Sequence, residues 1–152
     1  MKKLMFFLLS ITIIILIITL EGGRVAAYMQ LSAFLLVTLG ILFSTMFSFS
    51  FKEIRGTFMD SFSEKTDATK LNIYKRGYIV SKLMSKLSIY WSLIGVLLGI
   101  IYVLSHLETP ERLGVGLAMA LVSALYGLIY SGTLFIPMGH VLIKKIQDIK
   151  EN

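Results

Sequence analysis

The side chains able to carry chemistry in this chain are few, and their spacing keeps them apart. There is no cysteine, so thiolate attack, disulfides and Cys-based metal sites are excluded. The two histidines, His106 and His140, are far apart and have no acidic residue in register. They make a poor metal site, and neither a metal nor another cofactor is expected. No Ser-His-Asp set, phosphate-binding loop or glycine-rich dinucleotide turn occurs, so enzymatic activity is not expected. Ion transfer by carboxylates remains. None of the nine Asp and Glu, and none of the fifteen Lys and Arg, lies inside the long apolar stretches. Ionisable groups in a bilayer are costly and usually mark ion paths. If this chain moves ions, another protein must bring the titratable group, and a small exporter with its own membrane Glu is disfavoured.

The elements that would hold such a path are membrane helices. Of the 152 residues 56% are hydrophobic, and the mean hydropathy of +0.80 is one that soluble domains of this size rarely reach. The chain reads as a single all-α membrane domain over 1–152. Four apolar runs, at about 4–20, 26–51, 87–107 and 113–138, are long enough to be spans. Lys2 and Lys3, eight basic residues from Lys52 to Lys86, and Lys144, Lys145 and Lys150 fall on one side. Only Arg24 and Arg112 fall on the other. This asymmetry puts both termini in the cytoplasm. The net charge of +6 is then a topology signal first and an attraction to anionic membrane lipid second, with no nucleic-acid partner expected. A competing reading of the first run is a secretory signal ending near Val25-Ala26-Ala27, although the run is longer than a usual signal core.

The segment 52–86 is a short cytoplasmic connector. Ile54, Phe58 and Phe62, and then Ile79, Leu83 and Leu87 with Val80 and Met84, recur at helical spacing. Spans two and three are expected to continue inward as helices, with a cap at Thr66 or Asp67 and a possible break at Gly77. A plain solvated connector is the alternative. The tail from Val141 reads as a frayed amphipathic extension. Span one is Ile- and Leu-rich all round and should face lipid. Tyr28, Tyr90 and Trp91 sit near span ends, as interfacial aromatics do.

Small residues are concentrated in spans three and four. Ser88, Ser92, Gly95 and Gly99 share one face, and Gly116, Ala120, Ala124, Gly127 and Ser131 share another. Such stripes let helix backbones approach closely. They suit packing within one subunit, or packing against other copies and around a guest helix.

These residues resemble the MotA/TolQ/ExbB family, and within it the A-subunits of bacterial flagellar stators. The resemblance is carried by Glu21-Gly22-Gly23 through Ala27, and by Gly40, Thr45 and Phe49. It continues in Ile94-Gly95, Leu98-Gly99 and Val103-Leu104, and in Pro110 through Gly116. Ala118, Ala120, Leu125-Tyr126-Gly127 and Phe135-Ile136-Pro137 complete it. It implies a homo-oligomeric ring, a pentamer in the family's pattern, in the bacterial inner membrane. The ring would surround a MotB-like single-span partner whose Asp carries the ion, and proton flow would drive rotation. It further implies that Gly95, Val96, Gly99, Gly116, Ala120, Ser123, Ala124 and Gly127 face the ring or pore, and that Pro137 is a hinge. Val96 and Ala124 stand where the family often has Thr, which argues against sodium; Ser123 would point some 100° away from the path. Ile89, Ser32 and Ser50 replace family prolines, and Lys52 to Lys86 replaces the family's long rotor-gripping domain. The alternative function is a non-conducting structural or assembly protein with the same ring packing.

Overall fold

In lipid a backbone must satisfy its own hydrogen bonds, and the apolar runs do so as helices. The computed structural model describes residues 2–20, 28–108 and 110–151, and its regular elements are all helical. The turn from Glu21 to Ala27, with Arg24, lies outside the described residues. The helices are α1 (Lys2–Leu20), α2 (Leu31–Met46), α3 (Phe51–Phe62), α4 (Leu71–Leu104), α5 (Pro110–Ile129) and α6 (Ile136–Glu151). A 3₁₀ turn at Ala68–Lys70 precedes α4, and a π-helical turn at Tyr130–Phe135 joins α5 to α6. Two helical stretches, residues 68–104 and 112–151, are long and apolar enough to cross a membrane, and α2 with α3 would make a third if counted as one broken span. Within α1 the apolar stretch Met5–Leu20 is shorter than these.

Helix α1 exposes side chains on most of its surface, including Phe6, Leu9, Ile13, Leu16 and Ile17, as a lipid-facing helix would. Its hydroxyls fold back on the helix: Ser10 donates to the carbonyl of Phe6, and Thr12 to that of Leu8, both at 2.9 Å. No bare donor is then offered to hydrocarbon. Its main aromatic contact is Phe7 edge-on to Phe62 at the end of α3, with ring centroids 6.3 Å apart.

The expected inward continuation of span two does not form. Helix α2 ends at Met46, and the chain turns by 110° into α3. The cause is local. Ser50 is extended (φ −69°, ψ 152°) and caps α3. Its backbone N–H donates to Glu53 Oε2 at 3.0 Å, while its Oγ accepts from the Glu53 N–H at 3.4 Å. This reciprocal box ends one helix direction and starts another. Arg76 Nη1 reaches Glu53 Oε1 at 2.7 Å. The Ser50 backbone bond, and then Arg76, hold the Glu53 carboxyl below its ordinary value. A depressed folded value means that the cap contributes fully above the unfolded pKa and is lost as pH falls through the folded one. Acidification below about pH 4.5 is therefore expected to loosen α3, and Glu53→Gln to remove that dependence; far-ultraviolet circular dichroism across an acid titration is the check.

Span three does extend beyond the apolar run, as the 34-residue helix α4, and it passes through Gly77 without a break. Gly77 marks a crossing instead. A β-carbon there would lie 3.1 Å from Leu142 of α6 and 3.3 Å from Thr57 Oγ1 of α3. The buried face of α4 at this end is Tyr74, Gly77, Val80, Ser81 and Met84, whereas Ile79 is exposed. Asp67 does cap, but it caps the 3₁₀ turn, with Oδ1 accepting from the Thr69 N–H at 3.0 Å.

Nor is the tail frayed. Helix α6 runs to Glu151 and buries Leu142 and Lys145. Lys145 is 3% exposed, and its ammonium donates to the carbonyls of Asp60 (2.8 Å) and Lys65 (2.9 Å). It also lies 5.2 Å from the Tyr74 ring centroid. A cation at the last turn of α3 satisfies carbonyls that the helix leaves without partners. Val37, Ile41, Ile54, Val80, Met84, Phe135 and Met138 form the core where α2, α3, α4 and α6 meet.

Candidate functional site: the α4–α5 seam and its outer faces

The glycines singled out from the sequence come together, and they do so with one another. A β-carbon on Gly95 of α4 would sit 2.5 Å from Ser123 of α5, and one on Gly99 would sit 2.7 Å from Ala120 and from the Gly116 carbonyl. Gly116 is closed in by Val103 and Tyr102, at 2.7 and 2.8 Å. Gly127 lies against the Ser92 side chain and is 2.7 Å from the Ser88 carbonyl by the same measure. The glycines, Ser88, Ser92, Ala120 and Ser123 are buried, and Tyr102 and Val103 are half-buried. The two stripes therefore form one knob-free seam, in which dispersion contacts and close backbone approach hold α4 to α5.

Gly95, Gly99, Gly116, Ala120, Ser123 and Gly127 were expected to face a ring or pore, and the structure describes their surroundings within one chain. Within the chain they face the adjacent helix. Ser123 is fully buried, and its Oγ donates to the Met119 carbonyl at 2.8 Å, so its hydroxyl is engaged. Val96 and Ala124 are half-buried at the margins of the seam. The surfaces left open are apolar: Leu93, Leu97, Ile101 and Leu104 on α4, and Leu117, Leu121 and Leu128 on α5. These recur at helical spacing and form stripes on the outer faces.

Helix α2 closes the other side. The indole of Trp91 lies over Gly40, where any β-carbon would overlap the ring, and its Nε1 donates to Ser44 Oγ at 2.9 Å. Trp91 is thus a packing residue with a satisfied N–H, not an interfacial anchor. Thr38 Oγ1 and the Tyr130 hydroxyl are 2.8 Å apart, and the Tyr126 hydroxyl donates to the Tyr28 carbonyl at 2.8 Å. Tyr102 stacks on His106 at 4.4 Å. Tyr126 and Tyr130 therefore bond across the fold, as half-buried hydroxyls need partners, whereas Tyr102 makes a ring contact within its own segment.

Three hydroxyls that went unremarked in the sequence complete this network. Ser81 donates to the Phe135 carbonyl at 2.6 Å, Ser85 pairs with Ser131 at 2.8 Å, and Thr38 pairs with Tyr130. For Ser81 and Ser85 the signal in the sequence was a hydroxyl on the face of α4 that also carries Ser88 and Ser92. Ser81 and Ser85 meet the π-helical turn, where the Ile136 N–H bonds to the Ser131 carbonyl. Pro137 follows and has no N–H to donate, so the helix changes register here rather than continuing in α form.

No charged side chain enters α2, the stretch of α4 from 87 to 104, or residues 113–138. Among the described residues no group of His, Asp and Glu could hold a metal. The arrangement can pack tightly, present apolar faces and bond internally. It offers no carboxylate in those uncharged stretches.

Comparison with known proteins agrees with this chemistry. A 60-residue stretch is 40% identical to Motility protein A of Aquifex aeolicus (strain VF5), covering 40% of this chain and 23% of that protein. A 75-residue stretch is 30% identical to the uncharacterized protein YtxD of Bacillus subtilis (strain 168), covering 49% of this chain and 28% of that protein. The matches thus span about a quarter of the length of those relatives. The family model for the MotA/TolQ/ExbB proton channel family matches residues 33–152, from early in α2 to the end of the chain. An all-helical membrane domain with an acid-free interior and a close-packed α4–α5 pair is thereby a member of the MotA/TolQ/ExbB proton channel family.

Proposed function

We propose that this chain is the ring-forming subunit of a MotA-like stator or ion channel. It forms a homo-oligomer, five copies in the family's pattern, around a MotB-like single-span partner in a bacterial cytoplasmic membrane. The partner's Asp carries protons across, and the ring converts their passage into rotation or other mechanical work. Four crossings by α1, α2, α4 and the α5–α6 helix, with both termini cytoplasmic, accord with the distribution of Lys and Arg. The observation that carries the reading is the acid-free interior of a chain in a proton-channel family. Such a subunit supplies walls and leaves the titratable group to its guest.

In this reading the seam glycines set how thin the wall is, and the outer stripes of α4 and α5 meet neighbours and guest. Val96 and Ala124, at the margins of the seam, are the lumen candidates. The π-helical turn followed by Pro137 is the hinge at which the α5–α6 helix flexes as the ring turns.

The test is proton flux. Liposomes holding the purified chain alone should leak protons no faster than empty ones, and adding a single-span partner with a membrane Asp should open the path. Flux through the chain alone would overturn the reading. One observation favours a non-conducting assembly protein as the second reading: Val96 and Ala124 offer no side-chain oxygen, and the hydroxyl of Ser123, next to Ala124 in the chain, is spent on Met119. A complex with the partner that forms and conducts nothing would select it.

A further inference from the structure

Besides the seam, the described residues form three charged grooves at the basic end; one of about 470 Å³ has Lys65 and Lys70 balanced by Asp60 and Asp67, and the other two differ in sign balance. The larger, about 730 Å³ between α3 and α4, is lined by Lys52, Arg55 and Arg76 but also by Glu53 and Asp60. Arg76 is already paired with Glu53 there. Its charges largely cancel, and nothing in it selects a ligand. The smaller, about 260 Å³ between α4 and α6, is lined by Lys82, Lys86 and His140 over an apolar floor of Phe135, Ile136 and Ile143. No carboxylate lines it. Lys82 and Lys86 are one helical turn apart and point along the same edge. Among the described residues neither forms an ion pair; Lys82 lies only 6.0 Å from the Tyr78 ring centroid.

Its depth is as telling as its sign. Lys86 is the last charged residue before the uncharged part of α4, and His140 is the first titratable group of α6 after the uncharged run from 113. The groove therefore straddles the level at which both helices leave hydrocarbon. Ile136, which lines it, is exposed, as is Ile89 three residues beyond Lys86 on α4. Cationic clefts between membrane helices at this level recognise anionic headgroups. At about 260 Å³ the groove is smaller than the ~300–1,000 Å³ of closed small-molecule pockets. That suits a headgroup whose acyl chains stay in the bilayer.

We propose that the α4–α6 groove binds the phosphate of an anionic phospholipid of the cytoplasmic leaflet, through Lys82 and Lys86, with His140 closing the far side. The inference rests on the membrane placement proposed above. The bound lipid seals the basic end of the α4–α6 pair beside the π-helical turn, the place where that helix is proposed to flex.

The test uses the full chain purified in mild detergent, with phosphatidylglycerol and phosphatidylcholine of identical acyl chains titrated in native mass spectrometry. Lys82→Gln/Lys86→Gln should weaken phosphatidylglycerol binding by roughly 25-fold, about fivefold per lysine near an anionic surface, and leave phosphatidylcholine unchanged. Lys52→Gln/Arg55→Gln, in the mixed-sign groove, should change neither by more than about twofold, a small part of that effect. Unaltered circular dichroism and elution would establish that the variants fold. Equal weakening by both pairs would mean diffuse surface charge and would overturn the site, as would no weakening by the first pair. Displacement of phosphatidylglycerol by inorganic phosphate at equal concentration would overturn the lipid assignment. Flotation of the wild type with vesicles is read separately: a chain that floats with neither composition refutes the membrane placement itself.

Discussion

Gly127→Val should leave little folded protein. A valine there must find room where the Ser92 side chain and the Ser88 carbonyl already lie, and backbone cannot yield as a flexible side-chain tip can. Overpacking of a tight interior costs typically 1–3 kcal/mol and occasionally more. Here the whole α4–α5 seam must open, so a loss of about 3 kcal/mol or more is expected. Denaturant-induced unfolding in detergent should show it as a shifted midpoint. Gly95→Val should behave alike, because Ser123 fills its space. Gly56→Ala is the control: its β-carbon would meet nothing within 4 Å, and the exchange should be neutral or gain about 0.5–1 kcal/mol from helix propensity. If Gly127→Val unfolds at the wild-type midpoint and only the oligomer is lost, the glycines border another chain and the intrachain seam is wrong.

Lys145→Met should release the basic end of the molecule while sparing the membrane helices. Lysine is almost never buried without partners. This one satisfies the carbonyls of Asp60 and Lys65 and covers Tyr74. Methionine fills the volume but donates nothing. Two partly buried carbonyls then lose this donor, at about 1 kcal/mol each, the low end of the cost of an unsatisfied buried group. Hydrogen exchange of residues 57–70 and of α6 beyond Gly139 should accelerate by at least tenfold, the equivalent of about 1.4 kcal/mol. Residues 88–104 should be unaffected, because the seam does not depend on this contact. Unchanged protection in 57–70 would show that α3 and the connector are held by Ile54, Thr57 and Ser61 alone.

What could be read in advance divides along a physical line. Apolar length, the exclusion of charge from the spans and the spacing of glycine were all local properties of the chain, and each led to a helix or a helix face. The exposed surface of α1 and the hydrogen bonds of Tyr126 and Tyr130 followed in the same way. The break at Ser50 was legible too: Ser50 and Glu53 stand three apart, the spacing of a capping box. It was overridden by the apolar run continuing to Phe51. Gly77 misled for the opposite reason. A glycine inside a helix looks like a break until a neighbouring helix, here α3 at Thr57, is found crossing over it.

The sequence by itself determined that this is an acid-free helical membrane chain with two small-residue faces, because hydropathy, charge and helical period act along a single strand of residues. Only the tertiary structure decided what those faces touch. Gly95, Gly99, Gly116 and Gly127 could have met a guest, a neighbour or each other, and a stripe carries no record of its partner. They meet each other, because the backbones of α4 and α5 can approach most closely where both lack side chains. Likewise, no spacing rule joins Lys145 to the carbonyls of Asp60 and Lys65. That contact exists only once α6 has packed beside α4 and α3 has turned across it.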